Sequence, residues 1–119
     1  MPRYLLLLHA EDAQLSEMAP DTRQALFGQF VDWTEALKAK GILHGVESLM
    51  DGGGTTLRKK RDELVVDGPY AELREMVGGL FVLEASDVAA IHTIAAGCPL
   101  LGSGGAIEIR EIAPFPVRP

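Results

Sequence analysis

The side chains best suited to chemistry gather in one stretch, Asp67-Gly68-Pro69-Tyr70-Ala71-Glu72-Leu73-Arg74-Glu75, followed by Met76-Val77-Gly78-Gly79. Asp67 and Glu72 offer carboxylates for acid–base work or for holding a cation. Tyr70 offers a flat wall and a hydroxyl. Arg74 and Glu75 offer opposed charges to a ligand. Glu72 and Glu75 are three apart, which is one face of a helical turn, and Arg74 falls off that face. Asp67-Gly68-Pro69 punctuates the chain, because Asp bonds to local backbone and Pro fixes φ. Gly78-Gly79 lets the backbone re-enter a sheet or lets a ligand approach closely. Two readings stay open for this stretch. One is a structural turn with its charges in solvent. The other is a loop at a sheet edge that lines a pocket.

The remaining candidates are more dispersed. His9 ends an apolar strand, a place where sites form, and is a candidate proton carrier alongside Asp67 and Glu72. The same position also suits a hydrogen-bonded core histidine. His44 alternates with Leu43 and is expected to face solvent. His92 lies beside an apolar helix stripe and is expected to snorkel. No histidine pair has the spacing or cysteine company of a zinc site, and no calcium-loop pattern occurs, so no metal or cofactor is expected. Cys98 precedes Pro99 at a helix end, where the negative dipole disfavours a thiolate, so it reads as a packed thiol. Gly102-Ser103-Gly104-Gly105 lacks the lysine and following helix of a phosphate loop and reads as a turn. Arg58-Lys59-Lys60-Arg61 is the one basic run and suits a strand edge guarded against pairing. Glu84 and Glu108 fall on core strands, and nothing in the sequence brings them together.

The elements that must position these residues follow from periodicity. Leu5 to Leu8 reads as a strand apolar on both faces. Leu26, Phe30, Trp33 and Leu37 recur at spacings of four, three and four and share one helix face, which Phe27 widens. Asp32, Glu35 and Lys38 point away from that stripe. The helix spans residues 21–40, with Asp21 accepting from first-turn N–H groups and Gly41 ending it. A second helix begins after the N-cap Ser86, with Val88, Ile91 and Ala95 as its apolar stripe, and Gly97 and Pro99 stop it. Strands are expected over residues 42–49, 79–85 and 106–112, and a hairpin over 55–61 and 63–66 with a tight turn at Asp62.

That order is a ferredoxin-like split βαβ, an α+β fold with an inserted β-hairpin. Its two helices cover one sheet face, yet the strands are apolar on both. A second copy is expected to cover the other face, making a homodimer. One domain is expected over residues 1–112, with a Pro-rich tail over 113–119. The 119 residues carry 11 Lys+Arg against 17 Asp+Glu, a net charge of −6, which repels nucleic acid and anionic membranes. With 47% hydrophobic and 24% charged residues the composition excludes a disordered chain. The opening apolar run is far too short to span a membrane or serve as a signal peptide, and Cys98 has no internal partner, so the expected location is the cytoplasm.

Nearly the whole chain resembles the YCII-related family, and specifically its DGPF-domain branch. The resemblance rests on Tyr4-Leu5-Leu6-Leu7, on Thr34-Glu35-Ala36-Leu37 leading to Gly41, on Asp67-Gly68-Pro69-Tyr70-Ala71-Glu72, on Gly78-Gly79, and on Gly105-Ala106-Ile107-Glu108-Ile109-Arg110. Tyr70 stands where the branch name has Phe, and Arg74 where Lys is usual. The resemblance implies a ferredoxin-like dimeric α/β-barrel. The His–Asp pair proposed as catalytic in some relatives falls near Phe30 and Cys98 here, so it does not carry over. Two functions are expected from this. The first is a dimeric small-molecule-binding protein or enzyme with a pocket near the Asp67–Tyr70 loop, where Tyr70, Arg74 and Glu75 contact the ligand. The second is a non-catalytic accessory protein associated with an extracytoplasmic-function sigma factor, as the family's gene neighbourhood suggests. Residues 61–119 hold four basic and nine acidic side chains, a balance of −5 suited to a basic partner.

Overall fold

The alternating leucines of the first strand set the sheet. In β1 (Arg3–Ala10), Tyr4, Leu6 and Leu8 are buried while Leu5, Leu7 and His9 are half-buried on the other face. The computed structural model describes residues 1–11, 17–50, 53–68 and 76–118. The other elements are α1 (Pro20–Ala39), β2 (Leu43–Ser48), β3 (Thr56–Lys60), β4 (Glu63–Asp67), β5 (Met76–Glu84), α2 (Val88–Ala95), a short 3₁₀ turn (Pro99–Ser103) and β6 (Ala106–Glu111). β2, β5, β1 and β6 lie side by side in that order in one antiparallel sheet. This is the ferredoxin-like α+β arrangement, with β3 and β4 forming a separate hairpin between β2 and β5.

The core lies on one face of the sheet. Tyr4, Leu6, Leu8, Phe81 and Leu83 pack there with Leu37 of α1, with Ile91 and Ala95 of α2, and with Cys98 and Leu100. Trp33 meets Phe81 edge to face, ring centres 4.9 Å apart. Only the C-terminal half of the α1 stripe is held this way. Leu37 is buried, and Phe30 and Trp33 are half-buried, but Phe27 stands 70% exposed. The opposite face carries Leu5 and Leu7 of β1 beside Leu80 and Val82 of β5.

Both helix starts lie one residue from the sequence expectation. Pro20 opens α1 behind Ala19, which makes no side-chain cap, and Asp21 sits inside the first turn as a favourable charge rather than as the cap. Asp87, not Ser86, caps α2, its Oδ1 accepting from the Ala90 N–H at 2.8 Å. Val88 belongs to the exposed side of α2, leaving Ile91 and Ala95 as the buried stripe. The hairpin turn is two residues, Arg61 and Asp62, both with positive φ (52° and 66°), the primed turn that matches strand twist. Beyond β6, residues 112–118 have no regular structure and are exposed.

Candidate functional site

Two irregularities in the ladder shape the ends of the sheet. Leu8 pairs with Gly79 and His9 with Val77, so Gly78 is an extra residue that bends β5. Leu43 pairs with Leu83 and Gly45 with Val82, so His44 is an extra residue on β2. Between them β2 and β5 approach closely. A Cβ added at Gly79 would lie 3.0 Å from the Glu47 carbonyl oxygen, whereas one at Gly78 would meet nothing.

A cavity of about 420 Å³ opens at the Gly78 end, between α1 and the β2–β5–β1 part of the sheet. Its helix wall is two adjacent rows at i, i+4 spacing, Leu26-Phe30-Thr34 and Phe27-Val31-Glu35. Its floor is Leu8, Phe81 and Leu100, and its strand rim includes Val46, Ser48, Gly78 and Gly79. The Thr34 hydroxyl donates to the Phe30 carbonyl at 2.7 Å and is committed within the helix. Glu35 ends the second row at the edge of the cavity and is itself exposed, so it borders the cavity while facing solvent. The size and the mostly apolar lining are those of a small-molecule pocket. Half the α1 stripe serves as cavity wall instead of core, a use that periodicity cannot distinguish from burial.

The candidates named from sequence occupy different places. His9 alternates with Leu8 and Ala10, which line the cavity, so it projects from the opposite sheet face. There its Nε2 lies 3.0 Å from Oε1 of Glu108, and the Glu108 Oε2 lies 3.6 Å from Arg110. A carboxylate so placed orients the imidazole, an arrangement suited to proton transfer. His44 is exposed, as expected, and also pairs with Glu84 at 3.3 Å. Neither pair was legible in sequence, because each joins strands brought together only by the sheet. Asp67 lies in the hairpin opposite Thr56, 4.0 Å from the Arg58 guanidinium. Neither His9 nor Asp67 lines the cavity. Tyr70, Glu72, Arg74 and Glu75 lie outside the described residues.

Other groups are inert by their surroundings. Burial pushes the Cys98 thiol above its usual range, against a weaker opposing effect from a backbone hydrogen bond at Leu100. Burial first, then a hydrogen bond and the charge of Glu111, then the charge of Asp87, raise the Tyr4 phenol. Among the described residues no three His, Cys, Asp or Glu side chains converge to hold a metal ion. No helix among them is long and apolar enough to cross a membrane.

The sheet order, the helices on one face and the cavity beneath α1 define a ferredoxin-like α+β domain with a helix–sheet pocket. The chain belongs to the YCII-related domain family, whose family model matches residues 2–116. A solved structure similar to it is the 5-chloro-2-hydroxyhydroquinone dehydrochlorinase from Burkholderia phenoliruptrix AC1100 in complex with 2,5-dihydroxybenzoquinone. The two share 18% identity, with 92% of this chain and 93% of that one covered and a TM-score of 0.47. No curated protein matches the chain in sequence.

Proposed function

We propose that this chain is a homodimeric small-molecule-binding protein whose ligand occupies the cavity between α1 and the β2–β5–β1 end of the sheet. The observation that carries the reading is the cavity itself, about 420 Å³ and walled by Phe27, Phe30, Val31 and Phe81. An apolar helix face left open to solvent costs hydration free energy, and a bound apolar molecule recovers it. Glu35 on the same wall is a carboxylate able to take part in acid–base chemistry if a reaction follows binding.

The segment 69–75 leads into β5 at Met76, two residues before Gly78. On that ground Tyr70, Glu72, Arg74 and Glu75 are proposed to meet the ligand. The Asp67-Gly68-Pro69-Tyr70 motif supports a place in the DGPF branch of the family. The dimer is supported by the second sheet face, where Leu5, Leu7, Leu80 and Val82 form an apolar centre flanked by the His9–Glu108 and His44–Glu84 pairs. An apolar centre with a polar surround is the pattern of an interface between copies. A cytoplasmic location agrees with a lone buried thiol.

A thermal-shift screen of aromatic and alicyclic metabolites tests the reading. A ligand at one hundred times its dissociation constant adds about 2.7 kcal/mol to stability. Val31, 45% exposed on the cavity wall, is the site for a blocking variant. Val31→Trp fills the mouth and is expected to abolish the shift while the chain stays folded. If no compound shifts the wild type and the tagged chain instead recovers a sigma factor, the accessory role replaces this one.

A further inference from the structure

Resting on the cavity being a ligand site, the geometry points to a ligand class: a flat apolar molecule that carries a cationic nitrogen at the Glu35 end of the cavity. The argument starts from the two helix rows. Leu26-Phe30-Thr34 and Phe27-Val31-Glu35 face the same space, so Glu35 ends an otherwise apolar wall. Thr34 beside it spends its hydroxyl proton on the Phe30 carbonyl. Among the described residues, no lysine, arginine or histidine lines the cavity. Glu47, the other acidic lining residue, pairs with Leu80, and its register sends its side chain toward the other sheet face. Among the described residues, Glu35 therefore supplies the charge at the mouth.

Glu35 is also uncommitted. It makes no ion pair among the described residues, and Lys38, one turn further along α1, does not reach it. Among the described residues, an anionic ligand entering here meets the Glu35 carboxylate and no opposing charge on the cavity wall. A cation meets that carboxylate, while the apolar body of the ligand lies against Phe27 and Phe30. Because Glu35 is exposed, the preference is one of selectivity rather than of bulk affinity.

Three fluorescent probes that share one aromatic body test this on the full-length chain. They are N-ethyl-1-naphthylamine, which is uncharged, 2-(1-naphthylamino)ethanesulfonate, which adds an anion, and N-(1-naphthyl)ethylenediamine, which adds a protonated amine. The amine probe is expected to bind about threefold to fivefold more tightly than the uncharged one, and the sulfonate more weakly by a similar factor. Glu35→Gln is expected to bring the amine and uncharged probes to equal affinity, and Glu35→Lys to invert the ranking. The chain's net charge of −6 barely changes in the glutamine variant, so general attraction cannot mimic the result. If Glu35→Gln keeps the wild-type ranking, or the wild type prefers the sulfonate, the ligand class is wrong while the cavity stands. If no probe binds, or Val31→Trp leaves all three affinities unchanged, the cavity reading itself falls.

Discussion

Gly78 and Gly79 are neighbours in β5, and alanine is expected to act in opposite directions at the two. At Gly79 the new Cβ would lie 3.0 Å from the Glu47 carbonyl oxygen. That oxygen belongs to backbone held in register, since Glu47 pairs with Leu80, Ser48 with Gly79, and the Leu49 N–H donates to the Gly78 carbonyl at 2.9 Å. The strand cannot yield as a flexible side chain would, so Gly79→Ala is expected to destabilise by about 1–3 kcal/mol, the range of overpacked interiors. At Gly78 the Cβ meets nothing within 4 Å, and the residue lies outside the left-handed region. Gly78→Ala then acts mainly on the unfolded chain, and is expected to stabilise by about 0.4–1 kcal/mol. For a chain of 119 residues each kcal/mol moves the thermal midpoint by about 4 °C. The two variants should therefore separate by roughly 6–16 °C in parallel calorimetric scans. A shift of the same sign in both, or a Gly79→Ala midpoint equal to wild type, would refute the close approach of β2 to β5 beside the cavity.

Other consequences are open to measurement. Asp87→Ala removes the cap on α2 and is expected to cost about 1 kcal/mol in urea unfolding, with Ser86→Ala near neutral. Leu7→Glu paired with Leu80→Glu puts charge on the second sheet face, and light scattering should report monomers where the wild type gives dimers; a wild-type monomer would remove the interface. The Tyr4 phenol is raised above its ordinary 10.0 in the folded chain. The folded state thus holds that proton more tightly than the unfolded one. Its contribution is complete below pH 10 and is lost as pH climbs through the folded value, so stability should fall at alkaline pH in the wild type and less steeply in Tyr4→Phe. Arg61→Asn with Asp62→Gly suits the two positive φ angles of the hairpin turn, and should slow amide exchange across β3 and β4.

Most of the frame was legible because period and punctuation act locally. Strand alternation in Ile107 to Ile109 fixes which side faces the core, the leucine run at 5–8 marks a strand apolar on both faces, and the α1 stripe is visible over about three turns. The tight hairpin was legible for the same reason. What failed to show was whatever depends on two distant segments meeting. Glu108 finds His9, and Glu84 finds His44, only through strand order and an extra residue in β2. The cavity was hidden differently. Leu26, Phe27 and Phe30 carry the pattern of core residues, and periodicity alone does not distinguish a packed face from a cavity wall. Gly78 and Gly79, legible as a place where the backbone re-enters a sheet or a ligand comes close, lie in β5 on the cavity rim.

The β3–β4 hairpin shares no rung with the four-stranded sheet. Its removal would leave every hydrogen bond between β2, β5, β1 and β6 in place. The hairpin is therefore a separable unit, whose opening would loosen the entry to segment 69–75 without breaking a rung of the main sheet.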